Sequence, residues 1–116
     1  MMFVEEKMIL IIGGMCQGKR DFCKSEFPDA EVKEHYEERI REELGEGKDP
    51  VSEAEKWLDE ISGDIVIIMN EVGSGVVPMD RDERAWRESV GRVSCLFAKR
   101  ADKVYRLIAG IPQRLK

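Results

Sequence analysis

Histidine, cysteine and long apolar runs are scarce in this sequence of 116 residues, and each scarcity excludes a class of site or protein. The single histidine, His35, cannot form a histidine-based metal cluster. The three cysteines include no C-x-x-C pair, which indicates reduced thiols in a cytoplasmic protein rather than disulfides or a zinc site. The longest apolar runs are far shorter than the roughly 20 residues that cross a bilayer. Two acids near the start, with no cleavable apolar region after them, predict that there is no signal peptide.

Aromatic residues are also few, at 7% of the chain, and basic and acidic residues interleave. The sequence therefore has no evident platform for stacking bases, and we expect no nucleic-acid partner. Charge is nevertheless uneven: residues 31–62 hold 12 acids and 5 bases, and residues 80–116 hold 5 acids and 10 bases. Three explanations of this uneven charge remain open. The two regions could be separate solvated surfaces, they could pair with each other within an oligomer, or the basic region could face phosphates.

The hydrophobic fraction of 42% and the chain length predict a single packed domain, residues 1–116. Short apolar runs predict strands, and helical spacing of apolar residues predicts helices between them. The predicted strands are 7–12, 31–33, 64–69 and 103–109, and the predicted helices are 19–26, 34–44, 52–61 and a long helix starting at Asp80 or Asp82. Strands that alternate with helices indicate an α/β fold, with a parallel sheet covered on both faces.

Two local signals fix helix and chain ends in this prediction. Ser52, followed three residues later by Glu55, forms a capping box for the helix 52–61. The segment Gly110-Ile111-Pro112 is expected to turn the chain into a short terminal segment.

A glycine-rich loop follows the first predicted strand and leads into the first predicted helix. Its pattern G-x-x-x-x-G-K, from Gly13 to Lys19, is that of a phosphate-binding loop. Backbone N–H groups of such a loop converge on phosphate oxygens, and the lysine reaches the β- and γ-phosphates. The plainer alternative is a glycine-rich turn between strand and helix. The predicted nucleotide-binding residues are Gly13, Gly14, Met15, Cys16, Gln17, Gly18, Lys19, Arg20 and Asn70.

Arg20 stands where a phosphate-binding loop usually has the Ser or Thr that ligates Mg²⁺. Its guanidinium is always cationic and cannot ligate a metal. It could neutralise phosphate charge itself, or it could mark a loop that has lost metal-dependent catalysis. Whether Mg²⁺ accompanies the nucleotide therefore stays open, and no metal-ligating residue is assigned.

Asn70 and Glu71 form a second candidate position, because they follow a predicted buried strand. Ligands of open parallel sheets bind beyond the carboxyl ends of the strands, where the glycine-rich loop also lies. We predict Lys19 and Glu71 as catalytic residues, with Glu71 holding water on a metal ion or acting as a base. The alternative is that Glu71 accepts N–H groups from the turn 73–75. His35 could be a nucleophile for nucleotidyl transfer or an ordinary surface histidine.

The segment 70–78, Asn-Glu-Val-Gly-Ser-Gly-Val-Val-Pro, closely resembles the N-E-V-G-x-G-[IV]-V-P motif of the adenosylcobinamide kinase/adenosylcobinamide-phosphate guanylyltransferase family. The likeness continues through Gly91-Arg92, the segments 101–105 and 110–112, and the closing Leu115-Lys116. The loop ending at Lys19 is similar to that family's G-G-x-x-x-G-K loop. Together these stretches cover about half of the chain, at both ends.

The resemblance implies a P-loop NTPase-like three-layer α/β fold, with a small, mostly parallel sheet flanked by helices. It implies binding of GTP or ATP, phosphorylation of adenosylcobinamide in cobalamin synthesis, and then transfer of GMP through a guanylylated histidine. It also implies a homo-oligomer. The short apolar runs, independently of the resemblance, lead us to expect no membrane partner. This sequence departs from the family at Arg20, in its shorter middle, and at residues 42–44, where Glu-Glu-Leu replaces the stretch with the family histidine.

Two functions from different classes follow from these residues. The first is a short, divergent family member that binds a nucleotide at residues 13–20 and phosphorylates adenosylcobinamide, or another small alcohol. The second is a non-catalytic regulatory or assembly relative that keeps the fold and an anion-binding loop. Nucleotide preference, substrate and subunit number are left open by the sequence.

Overall fold

The computed structural model describes residues 7–61, 63–71 and 80–116. These residues form an α/β fold with one sheet and helices on both of its faces, which confirms the predicted architecture. In chain order the elements are β1 (Met8–Gly13), α1 (Lys19–Glu26), β2 (Glu31–Lys33), α2 (Tyr36–Gly45), α3 (Pro50–Glu60), β3 (Ile65–Asn70), α4 (Arg81–Arg100), β4 (Lys103–Ile108) and β5 (Ile111–Arg114).

The sheet has five strands in the order β2-β3-β1-β4-β5, and only the β4–β5 pair is antiparallel. β1 is central and runs parallel to both of its neighbours. Its last residue, Gly13, lies opposite Asn70 of β3 and Leu107 of β4. The carboxyl ends of three parallel strands therefore meet around the start of the glycine-rich loop.

The two faces of the sheet are covered unequally. Helices α2, α3 and α4 pack on one face, where Tyr36 and Phe97 meet edge to face with ring centroids 4.9 Å apart. Helix α1 covers the other face, with buried Cys23 packed against Ile9 and Ile11. Because both faces are covered, β1 and β3 consist almost entirely of apolar residues, as parallel strands in a three-layer fold require.

Helices α2 and α3 begin at residues other than those predicted. The predicted helix 34–44 runs instead over Tyr36–Gly45, because His35 has a left-handed conformation, with φ 57°, that cannot belong to the helix. The predicted capping box is wrong. Helix α3 starts at Pro50, and the side chain of Asp49 accepts the N–H of Val51 at 3.3 Å. A proline at the first helical position fixes this start, and Ser52 donates its hydroxyl to Asp49 at 2.8 Å.

The strands are close to their predicted positions, with one strand missed. Strands β1 and β3 end one residue later than predicted, and β4 ends one residue earlier. The predicted turn does include Gly110, but Ile111 and Pro112 lie outside it, because they begin strand β5. Ala109 and Gly110 alone make the turn, with φ 50° and 76°, and β5 follows. Two left-handed residues match the twist of a tight β-hairpin.

The long helix α4 is capped by Asp80, one of the two predicted caps, which accepts the N–H of Asp82 at 2.9 Å. Its apolar positions Val90, Val93 and Phe97 are buried against the sheet.

Within the described ranges, no helix has both the length and the apolar character needed to cross a membrane. The turn 73–75 and most of the nine-residue motif 70–78 lie outside the described residues.

Replacing Asp49 by Ala should destabilise the protein by about 1 kcal/mol, because the first turn of α3 loses its side-chain acceptor. Glu55→Ala, which removes an exposed acid from the same helix, is the matched control and should stay within about 0.5 kcal/mol of wild type. Urea unfolding measures both changes. A larger loss for Glu55→Ala would restore the capping box predicted from the sequence.

Replacing Gly13 by Ala should cost about 1–3 kcal/mol, because a Cβ at this position would lie 2.8 Å from the backbone oxygen of Leu107. The adjacent change, Gly14→Ala, is the control, since its Cβ would meet nothing nearer than Gln17 Cγ at 3.7 Å. Thermal unfolding of the two variants compares them directly. Equal midpoints would contradict a close approach at Gly13.

Candidate functional site

The glycine-rich loop lies at the carboxyl end of β1, beside the end of β3. Gly13 pairs with Asn70 across the sheet, and the N–H of Glu71 donates to the carbonyl of Gly13 at 2.8 Å. Helix α1 leaves the loop at Lys19 on one face of the sheet, and α4 lies on the other face. Neighbouring strands whose connections leave on opposite faces create the crevice in which α/β proteins bind their ligands.

Two residues with positive φ shape the loop. Gly18, with φ 85°, precedes the first residue of α1, and Cys16 has φ 58°. Such turns bring successive backbone N–H groups to one concave side, where the positive end of the helix dipole adds to their field. The positive φ values of Cys16 and Gly18 are thus of the kind found in anion-binding turns.

Lys19 lies over this loop and is 7% exposed. Its Nζ donates a hydrogen bond to the carbonyl oxygen of Gly14 at 2.5 Å. Burial lowers the pKa of Lys19, and the nearby groups Glu37, Cys16 and Glu71 oppose this by favouring its charged form. The side chain of Lys19, which is predicted to contact phosphate, thus folds back onto the glycine-rich loop and binds its backbone.

The turn between β4 and β5 holds the loop from the side. The backbone N–H of Ala109 donates to the side-chain oxygen of Gln17 at 2.5 Å, and the N–H of Gly110 donates to the carbonyl of Gln17 at 3.1 Å. Gly18 faces Gly110 so closely that a Cβ on Gly18 would lie 3.4 Å from the Cα of Gly110. Gln17 therefore fixes the loop to a part of the chain that is distant in sequence.

A cavity of about 370 Å³ opens beside the loop, within the size range of small-molecule sites. It contains six of the predicted nucleotide-binding residues, whereas Gly13, Gly14 and Met15 of the loop do not line it. The described residues around it are Cys16, Gln17, Gly18, Lys19, Arg20, Asp21, Glu34, His35, Glu37, Ile68 and Asn70.

Glu71 lies next to this cavity but is already paired. The guanidinium of Arg106 donates to both of its oxygens, from Nε to Oε1 at 2.6 Å and from Nη2 to Oε2 at 3.0 Å. Such a bidentate pair is the strongest geometry available to these two groups. The sequence analysis did not identify Arg106, although its place near the carboxyl end of a predicted strand was a usable signal.

Arg20 and His35 lie together at the side of the cavity. Arg20 Nε donates to Glu34 Oε1 at 2.9 Å, and its side chain is 59% exposed. His35 follows Glu34, is exposed and lines the same cavity as Lys19. The structure therefore brings the chain's one histidine to the predicted nucleotide-binding residues.

Glu37 is a site residue that sequence reasoning missed. It lies in the first turn of α2, is 5% exposed and lines the cavity. Its Oε1 accepts the backbone N–H of Asn70, and its carbonyl accepts the indole N–H of Trp86 at 2.8 Å. No pattern separates Glu37 from the other acids of residues 31–62, so only the packing of α2 reveals it.

Residues 42–44, which the sequence analysis compared with the stretch holding the family histidine, are not among the residues that line the cavity. Glu43 is buried and pairs with Arg39, whose guanidinium lies over the rings of Tyr36 and Trp57. This face of α2 is directed to the neighbouring helices rather than to the glycine-rich loop.

The described residues do not fit a metal ion held by protein groups alone. None of them form a group of three or more His, Cys, Asp or Glu side chains placed to ligate a metal. Arg20 occupies the position of the usual hydroxyl ligand, and Arg106 takes both oxygens of Glu71.

Known proteins resemble this chain over part of its length. It is 40% identical over 52 residues to the bifunctional adenosylcobalamin biosynthesis protein CobU of Salmonella typhimurium, covering 45% of this chain and 29% of that protein. It is 36% identical over 59 residues to the bifunctional adenosylcobalamin biosynthesis protein CobP of Pseudomonas aeruginosa, covering 51% and 34% respectively. The matched stretches thus span about a third of the relatives' own lengths.

A family model matches most of the chain, over residues 32–115. This range runs from within β2 to the end of β5, with Glu37, Glu71 and Arg106 of the site, and it begins after the glycine-rich loop. The loop, the parallel sheet and the cavity at its edge have the arrangement expected for a P-loop NTPase-like fold. The chain belongs to the cobinamide kinase / cobinamide phosphate guanyltransferase family, which acts in cobalamin biosynthesis.

Proposed function

We propose that this chain binds GTP or ATP at residues 13–20 and transfers the terminal phosphoryl group to the hydroxyl of adenosylcobinamide. The proposal rests on the position of Lys19. This buried lysine donates a hydrogen bond to the carbonyl of Gly14 in the glycine-rich loop, and it lines the cavity beside the loop. The family description and the names of the relatives support the reaction class.

In this reaction the substrate hydroxyl oxygen bonds to the γ-phosphorus, and the bond from that phosphorus to the β-phosphate oxygen breaks. The nucleoside diphosphate leaves, and the hydroxyl proton passes to a base or to water. Loop N–H groups and Lys19 would neutralise the charge that spreads over the phosphate oxygens.

Glu71 remains our candidate for the carboxylate at the reacting end. Arg106 occupies both of its oxygens, so Arg106 would have to turn away before Glu71 could reach a hydroxyl or a water. Released in this way, Arg106 would be free to contact phosphate as a bidentate donor. In this proposal, Glu71 and Arg106 are partners of one another before substrate enters. Afterwards Glu71 contacts the hydroxyl or water, and Arg106 contacts phosphate.

Lys19→Ala should weaken binding of ATP and GTP by about tenfold or more, because a charge-assisted hydrogen bond to phosphate is lost. Lys24→Ala is the matched control: it removes the same charge from an exposed position of the same helix, and binding should change by less than about twofold. Calorimetric titration with each nucleotide, with and without Mg²⁺, measures these affinities.

No detectable binding of wild type at millimolar nucleotide would overturn the proposal, as would equal losses in the two variants. Turnover of adenosylcobinamide, followed by chromatography of the phosphorylated product, then tests the reaction. Binding without product would favour a regulatory or assembly role for the same fold.

We infer guanylyl transfer through His35 as a second candidate function, because His35 lines the same cavity as Lys19. A ring nitrogen would bond to the α-phosphorus of GTP, the bond to the β-phosphate oxygen would break, and pyrophosphate would leave. The guanylyl group would then pass to the phosphate of the corrinoid, as the family description indicates.

Incubation with GTP should add one acid-labile GMP unit to the protein and release pyrophosphate. His35→Ala should remove this mass gain and leave nucleotide binding within about threefold of wild type, because the exposed ring makes at most a weak contact. Intact-protein mass spectrometry measures the adduct. A gain that persists in His35→Ala would show that another residue is the nucleophile.

Association into a homo-oligomer is a further proposal that comes from the family resemblance. Ile108, Ile111 and Leu115 are half or more exposed around the β4–β5 hairpin, and exposed apolar side chains gathered in this way suit a contact with another protein surface.

A further inference from the structure

Glu37 is a buried carboxylate that the proposed function leaves without a role. Its Oε1 accepts the N–H of Asn70 at the end of β3, and its carbonyl accepts the indole N–H of Trp86 on α4. Contacts from two other elements therefore hold the residue in place. A buried carboxylate costs free energy unless hydrogen bonds or a cation compensate it.

The other carboxylates at the site are engaged with cations. Glu34 pairs with Arg20 at 2.9 Å, and Glu71 pairs with Arg106 at 2.6 Å. Among the described residues, Glu37 forms no ion pair of this kind, and it lines the cavity together with Lys19. Its charge therefore acts across the cavity on the buried lysine.

We propose that Glu37 is a positioning residue of the nucleotide site, which holds the end of β3 in place and sets a fixed carboxylate in the cavity that Lys19 also lines. The inference rests on the proposed nucleotide site, since a charged Lys19 matters there for contact with phosphate. A lysine that has lost its proton would bring no charge to a phosphate oxygen.

The surroundings of Lys19 make such support necessary. Burial removes water from the ammonium group and lowers its pKa, and Glu37 is the largest influence in the opposite direction, ahead of Cys16 and Glu71. The other charged or titratable groups around the cavity are Arg20, Asp21, Glu34 and His35. Arg20 and Glu34 largely neutralise one another, so Glu37 is the carboxylate best placed to offset the desolvation.

Glu37→Gln tests the charge directly. The amide keeps an oxygen that can accept the N–H of Asn70, at nearly the same volume, and removes the negative charge. In ligand-free protein, the Lys19 ¹³Cε resonance, assigned through Lys19→Arg, should titrate at lower pH in this variant than in wild type. An unchanged midpoint would overturn the proposal.

Glu34→Gln is the matched control. It removes an equal charge from the same cavity, but Glu34 is not among the groups that shift the pKa of Lys19. The Lys19 midpoint should therefore stay at its wild-type value. An equal displacement in both variants would mean that the net charge of the cavity matters and the placement of Glu37 does not.

Nucleotide affinity should depend on pH in a way that a purely structural role would not produce. At neutral pH, Glu37→Gln should bind ATP at least as well as wild type, because a carboxylate that repels phosphate is gone. At alkaline pH the variant loses the Lys19 charge first, and its affinity should fall about tenfold below wild type. The two curves of affinity against pH then cross.

A uniform loss of affinity at every pH would contradict the proposal. Absence of ATP binding by wild type at every pH would overturn the proposed function instead, and the ligand-free titration of Lys19 would still decide the role of Glu37.

The contact between Glu37 and β3 has its own test, because Glu37→Asp withdraws the carboxylate by one methylene. Amide exchange at Asn70 should rise relative to that at Val66, and unchanged exchange would reject that contact.

Discussion

Parallel pairing of β1 with both of its neighbours is the interaction on which the rest of the structure depends. It places Gly13 between Asn70 and Leu107, and the Leu107 oxygen lies too close for any side chain at Gly13. The chain therefore leaves β1 at a residue without a side chain, and the glycine-rich loop leads from there into α1. The same pairing puts Glu71, directly after β3, and Arg106, on β4, on the two sides of this exit, close enough to form their ion pair. The site is thus a consequence of strand order and of a missing Cβ.

Charge at the site is arranged so that each cation is near a carboxylate before any ligand enters. Arg20 has Glu34, Arg106 has Glu71, and Lys19 has the more distant Glu37. Partners of this kind reduce the cost of removing charges from water, and a phosphate group would replace them with stronger interactions. Arg20 is an exposed cation that pairs with Glu34 and lines the cavity.

The strand–loop–helix unit, the buried strands and the face of α4 could be predicted from the sequence because each depends on local pattern. The cap of α3 could not, since Asp49 and Ser52 are both good capping residues and only the start at Pro50 decides between them. Strand β5 was missed because all four of its residues are exposed and no alternation marks it. Glu37 depends on the packing of α2, which the spacing of residues does not encode, whereas Arg106 lies near the carboxyl end of a predicted strand and could have been found there. The motif 70–78 identified the family, although most of it lies outside the described residues.

The contacts between Gln17 and the β4–β5 turn have a consequence for biosynthesis. The N–H groups that complete the loop belong to Ala109 and Gly110, which leave the ribosome long after the loop itself. A nascent chain shorter than this has the loop sequence but not its lateral support, and long-range contacts of this kind form late in folding. The loop therefore gains its lateral support only after β4 has joined the sheet beside β1 and the turn to β5 has formed.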